Sequence, residues 1–244
     1  MVFLWIMMLL AAPSGRVLES VVPGAETEPA CSTAIELVNV GSRAASIEWE
    51  AHRAGGALVA LPGGGSMVLA PGERRSFSLE PEVWVKVREQ IAPAEHGPAV
   101  SAQGRTECTE DNRLRTVRRD AVFPMRNPWF AGDVSPPGGM ILFINAGERP
   151  AYASGCYSSG NVYSLPGRGP NPPSFEPVCS ETFDVQVPPF ASREFPAERN
   201  GSRWFGLKTR GTSIVLQMLR PADSGTKLFV VDSTIRFGGE VTSR

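Results

Sequence analysis

Four cysteines, Cys31, Cys108, Cys156 and Cys179, are the residues of this 244-residue chain whose type is best suited to covalent chemistry. None forms a Cys-x-x-Cys pair, so the spacing suits neither a zinc finger nor a thioredoxin-like redox centre. An even number of widely spaced cysteines reads as two disulfides made in an oxidising compartment. Four cysteines allow three connectivities. The favoured one is Cys31–Cys108 with Cys156–Cys179, because each pair then lies within one of two internal repeats.

Acid–base chemistry has few candidates. Two histidines are present, His52 and His96, both in turn-like stretches (Ala-His-Arg-Ala-Gly-Gly and Ala-Glu-His-Gly-Pro) that predict solvent-exposed loops. Neither has the context of a Ser–His–Asp triad or a multi-histidine metal site. Gly63-Gly64-Gly65-Ser66 lacks the Lys-Ser/Thr of a phosphate loop and reads as a hairpin loop. No Gly-x-Ser-x-Gly elbow and no calcium-loop spacing of acids occur. The expectation is a non-catalytic protein without cofactor or metal. Asn200-Gly201-Ser202 matches a glycosylation sequon but reads better as an Asn-Gly turn between two strands.

Recognition has a stronger candidate. The stretch Cys156–Cys179 is too rich in Gly, Pro and Ser to sustain regular structure, and loops of this length in compact proteins usually serve a function. Closing it with a disulfide would remove about 3 kcal/mol of chain entropy from the unfolded state. Tyr157, Tyr163, Arg168 and Phe175 supply the aromatic and guanidinium groups enriched at binding hot spots. The segment is expected to be a recognition surface, against the alternative that it merely covers a sandwich edge.

These residues must be carried by strands. The chain holds 25 glycines and 22 prolines spread along its length, which favours short strands joined by many turns. Its formal net charge is −1 with acids and bases interspersed, and it has no basic stripe for nucleic acid. Val2 to Ala12 is an uninterrupted apolar run followed by Pro13, Ser14 and Gly15, which predicts a signal peptide over residues 1–15. That run is too short to cross a bilayer, so no transmembrane span is expected in the mature chain. Location outside the cytoplasm follows: secreted, periplasmic or cell-surface.

An internal repeat sets the domain organisation. Ile35-Glu-Leu-Val-Asn39-Val-Gly41 matches Ile141-Leu-Phe-Ile-Asn145-Ala-Gly147. Val68 to Phe77 then matches Gln186 to Phe195, and Val83-Trp84-Val85 matches Arg203-Trp204-Phe205. Leu114 to Phe123 matches Leu228 to Phe237. Four matches in one order define two homologous units, residues 28–125 and 126–240. Period-two alternation points Ile35, Leu37, Ile47, Trp49, Phe77, Leu79, Val83, Val85 and Val87 inward in the first unit. Phe183, Val185, Val187, Ile214, Leu216, Met218, Phe229, Val231, Ile235 and Phe237 do so in the second. The segment from Thr109 to Val122 has helical and strand spacing equally, and its repeat partner decides for strand.

The order of Asn-x-Gly after a first strand, a Pro-bearing turn before a Phe-ending strand, then a Trp-bearing strand resembles the immunoglobulin-like repeats of bacterial exported and cell-surface proteins. The resemblance covers nearly all of the chain after the export segment. It implies an all-β fold of two tandem immunoglobulin-like β-sandwich domains, each of roughly seven strands, and roles in adhesion, assembly or spacing. Between the units, Pro124 to Pro137 reads as a stiff linker. Trp129 and Phe130 either dock between the sandwiches or pack inside the second. The expected function is an exported binding or structural module of the cell envelope or surface that contacts a protein or glycan. The alternatives are a surface assembly joined by strand-edge pairing, and a hydrolase with no recognisable motif.

Overall fold

A computed structural model describes residues 16–24, 31–60, 65–80, 83–91, 97–110, 113–133, 138–159, 162–165, 174–177, 179–202, 204–221, 229–231 and 238–241. The expected signal peptide, His96 and Arg168 lie outside these residues. Every regular element among them is a strand, so the fold is all-β.

Nine strands come first: β1 (Arg16–Val22), β2 (Cys31–Asn39), β3 (Ala45–His52), β4 (Leu58–Val59), β5 (Ser66–Leu69), β6 (Arg74–Leu79), β7 (Trp84–Ile91), β8 (Val100–Glu110) and β9 (Arg113–Asp120). They form one sheet ordered β1-β7-β3-β4, with β5 also on β3, and a second ordered β6-β2-β8-β9, all antiparallel. Ile35 and Leu37 from the second sheet share one core with Ile47, Trp49, Val85 and Val87 from the first. Two sheets closing on one apolar core make a sandwich. The inward residues read from the alternation of this unit all face that core, Phe77 and Leu79 at its margin.

Eleven strands follow: β10 (Met125–Asp133), β11 (Met140–Asn145), β12 (Ala151–Ser158), β13 (Val162–Leu165), β14 (Ser174–Pro177), β15 (Glu181–Val187), β16 (Ser192–Pro196), β17 (Trp204–Arg210), β18 (Ile214–Pro221), β19 (Phe229–Val231) and β20 (Gly238–Val241). The orders β15-β12-β17-β10 and β16-β11-β18-β19 repeat β5-β3-β7-β1 and β6-β2-β8-β9 of the first set. Met125 of β10 also pairs with Ile214 of β18, which joins the two sheets along one margin. The registers coincide as well. His52 faces Trp84 and Ser46 faces Gln90 in the first set, while Ser158 faces Trp204 and Tyr152 faces Arg210 in the second.

The repeat holds to the level of single hydrogen bonds. Asn39 Nδ2 donates to the carbonyls of Arg43 (2.7 Å) and Leu69 (2.8 Å), and its Oδ1 accepts from Gly41 N at 2.9 Å. Asn145 Nδ2 donates to Arg149 (2.9 Å), to Val187 (3.2 Å), the counterpart of Leu69, and also to Pro188 (2.9 Å), and its Oδ1 accepts from Gly147 N at 3.1 Å. Both amides are buried. Each satisfies loop groups that would otherwise be left without partners in the interior, which is why Asn-x-Gly recurs.

Two expectations are corrected here. The stretch from Pro124 to Pro137 is not a linker, since Met125–Asp133 is a strand that pairs with β17 on one side and with β20 on the other, and its register against β20 shifts between Arg126 and Trp129, where Pro128 sits. Phe130 enters the second core, whereas Trp129 is 53% exposed, so neither ring docks between the sandwiches. Ahead of residue 28, the expected start of the first unit, β1 pairs along its whole length with β7. β1 and β10 are equivalent strands.

The order of pairing has its own character. Here β8, which follows β7, crosses to the opposite sheet and lies beside β2, while the N-terminal β1 takes the place next to β7.

Candidate functional site

The two sandwiches meet face to face. Val21 and Trp84, on the outer face of β1 and β7, pack against Leu142 and Ile144 of β11 and Val215 and Leu219 of β18. β11 and β18 are therefore apolar on both faces, as strands covered on both sides must be, whereas the outer face of β7 adds only Trp84 to the apolar contact. At the margin, Ser192 N donates to Ala54 O at 2.8 Å across the junction.

Charged side chains are built into this contact. Lys86, 3% exposed, donates to Ala146 O at 2.9 Å and lies 3.4 Å from Glu19 and 4.0 Å from Glu50. Arg88 sits 3.3 Å from Glu19 and 3.4 Å from Glu50. Burial pushes the Lys86 ammonium below its ordinary value, with Glu19 opposing. Glu50 is held below the carboxylate range by the neighbouring His52, then by Arg88 and Lys86, against the effect of burial.

Phe190, from the β15–β16 turn, closes the cluster. Its ring stacks on His52 with centroids 4.8 Å apart and planes 7° from parallel, and Lys86 Nζ stands 5.5 Å from its centroid. The other face of His52 lies 4.7 Å from Trp84. The expectation of an exposed loop histidine is corrected: His52 ends β3 and is 3% exposed, because the second unit supplies the ring that covers it.

Beside this cluster the edge of β3 opens between β4 and β5. The cleft there has a volume of about 590 Å³ and is lined by Glu48, Glu50, Leu58, Val59, Lys86 and Arg88, among others. Its cations are already engaged by carboxylates, and Lys86 is turned towards the junction. The cluster is arranged to hold two sheets together. Among the described residues no three His, Cys, Asp or Glu side chains converge as a metal site.

Both favoured disulfides are present. Cys31 and Cys108 face each other across β2 and β8, and Cys156 on β12 joins Cys179. Between the latter two, β13 and β14 form a hairpin in which Tyr163 faces Glu176 and Phe175 faces Ser164. Tyr157 does not join them. It is 1% exposed, its hydroxyl donates to Pro196 O at 2.7 Å, and burial pushes its pKa up to about 12. It belongs to the second core, which removes it from the recognition set. Alternation along β12 carried that signal, since Ala151, Ala153 and Tyr157 share a face. At the sequon, Asn200 and Gly201 have φ of 52° and 71° in a tight turn closed by Ser202 N donating to Arg199 O at 2.9 Å, which links β16 to β17.

Fold and site together define an all-β, disulfide-bonded protein of layered antiparallel sheets. Compared with protein-family models, curated proteins and solved structures, the chain matches none.

Proposed function

We propose that this chain is an exported, non-catalytic binding and structural module of the cell envelope or surface. On this reading two tandem sandwiches of one immunoglobulin-like ancestry are held at a fixed angle. The observation that carries it is the junction: Lys86, His52 and Phe190 interlock two units that each hold their own disulfide. Disulfides stabilise such a frame by constraining the unfolded chain in an oxidising compartment, and the frame presents loops in a set orientation. The segment between Cys156 and Cys179 is the part we assign to a partner, through Tyr163, Arg168 and Phe175, on the strength of its residue types. Edge strands carry the charges that discourage strand addition, Arg74 and Arg75 on β6 and Asp184 on β15. Monomeric binding is therefore preferred over assembly by edge pairing.

The test is to express the chain from its own start and follow its location, N-terminus and thiols, then apply the labelled product to fractionated envelope. Cleavage near Gly15, two intact disulfides and saturable retention by an envelope fraction are expected. A reduced, uncleaved chain inside the cell, or retention by no fraction, would overturn the reading.

A further inference from the structure

The register equivalence of the two units shows what the second unit has changed. On the outer face of the first unit, Glu19, Arg88, Ser46 and Gln90 occupy neighbouring places on β1, β7 and β3. The same places on β10, β17 and β12 hold Trp129, Lys208, Tyr152 and Arg210. Arg88 spends its charge on Glu19 and Glu50. Its counterpart Lys208 finds Trp129 where Glu19 would be and Cys156 where Glu50 would be. Lys208 and Arg210 are exposed and make no ion pair among the described residues. Trp129 is 53% and Tyr152 48% exposed.

The same face has also been withdrawn from use as a junction. Where Lys86 stands in the first unit the second has Gly206, and the Trp204 ring lies over it, so that a Cβ at Gly206 would come within 2.5 Å of the indole. A further sandwich would meet this collapsed ring in place of a lysine. What remains is a flat strip of two open aromatic rings with two uncompensated cations between them. At its β15 margin Asp184 accepts a hydrogen bond from Ser154.

We infer that this strip binds an acidic polysaccharide, with pyranose rings stacked on Trp129 and Tyr152 and carboxylate or sulfate groups on Lys208 and Arg210. The inference rests on the reading of the chain as an exported binding module and places its ligand on a sheet face. Size selects the ligand class. Three strands at about 4.8 Å spacing and a two-residue offset of about 7 Å give a patch on the order of 100 Å². A stable protein partner needs roughly 800 Å² per side, whereas a single extended glycan chain fits. Two cations are also fewer than the roughly six to ten phosphate contacts by which nucleic-acid binders grip a backbone. Aromatic faces carry negative potential and attract the C–H edges of a sugar ring as they attract cations.

The disulfide-bonded full chain is run in native gels cast with polygalacturonate, alginate or neutral dextran, and then with oligo-dT and polyglutamate as competitors. Retardation by an acidic polysaccharide and not by dextran is expected, weakening with salt. Trp129→Ala and Lys208→Gln should each weaken it at least about tenfold, while Leu114→Ala, on the exposed face of β9, should not. Both test residues are exposed, so unchanged unfolding midpoints show that fold is intact. No retardation by either acidic polymer, or stronger competition by oligo-dT or polyglutamate than by free uronate oligomers, overturns the inference. Retardation that survives Trp129→Ala and Lys208→Gln overturns this face while leaving an envelope-binding module standing.

Discussion

Phe190 fills, at φ 56°, the turn position that Gly72 fills at φ 75° in the first unit. A bulky residue in the left-handed region costs about 1 kcal/mol or more. The second unit bears this cost at the point where the ring stacks on His52 and lies under Lys86. Local strain here is the counterpart of a contact made with the other unit.

That relationship gives an ordering of variants. Phe190→Gly loses the ring but relaxes the backbone, whereas Phe190→Ala loses the ring and keeps the strained φ. Phe190→Ala should therefore be the less stable of the two, by about 1 kcal/mol. Both should fall below the parent, and calorimetry should begin to resolve two transitions as the sandwiches uncouple. Equal stability of the two variants would mean that the turn is not strained.

Acid should loosen the same junction. The folded carboxyl of Glu50 sits below its ordinary value of 4.5, chiefly through His52 and then Arg88 and Lys86. Its contribution is fully present above that value and is lost as pH falls through the lower folded value. Glu50→Gln should flatten the pH dependence of unfolding midpoints below about pH 4.5, measured between pH 2 and 6. An unchanged slope would show that Glu50 titrates alike in folded and unfolded chains.

The paired asparagines should behave alike. Asn39→Ala leaves two carbonyls and one N–H without their partner and Asn145→Ala three carbonyls and one N–H, a loss of about 3 kcal/mol each at typical values for unsatisfied groups. Asp in either place keeps the acceptor for Gly41 or Gly147 but sets a carboxylate against the carbonyls of Arg43 and Leu69, or of Arg149, Val187 and Pro188. It should rescue little. A large loss in one unit and none in the other, by denaturant titration, would count against a shared clamp.

These comparisons also show what the sequence made legible. Asn-x-Gly, the turn before Phe77 and Phe195, and the Trp84 and Trp204 strands are fixed by backbone geometry, so they survive as matching letters. Equivalences carried by packing do not. β10 hides its kinship to β1 because Glu19 has become Trp129 and Val21 has become Ala131, and because Pro128 makes a strand look like a linker. His52 looks like a loop residue because the ring that buries it comes from the other unit. The pairing Cys31–Cys108 was legible because the repeat set the boundary between the two pairs. The open strip of Trp129 and Tyr152 was not, since it appears only when two registers are laid over one another.

The same blindness covers a reciprocal exchange in the cores, which yields the last prediction. Trp49 of β3 donates its backbone N–H to Gly65 O at 2.9 Å, and its ring packs 4.5 Å from Phe77. In the second unit the place of Trp49 is taken by Gly155, whose partner on β15 is Phe183. That ring fills the space above Gly155, stacks 4.9 Å from Phe195, the counterpart of Phe77, and would meet a Cβ on Gly155 at 2.0 Å. Large faces small in both sandwiches, with the roles reversed. Gly155→Ala should cost about 1–3 kcal/mol, the usual range for overpacking. Phe183→Val should cost a similar amount through the cavity it leaves. Together they should cost well under the sum, because the smaller side chain makes room for the methyl. A double-mutant cycle on unfolding free energies measures this coupling, and strict additivity would show that the Phe183 ring can swing away from the core without loss.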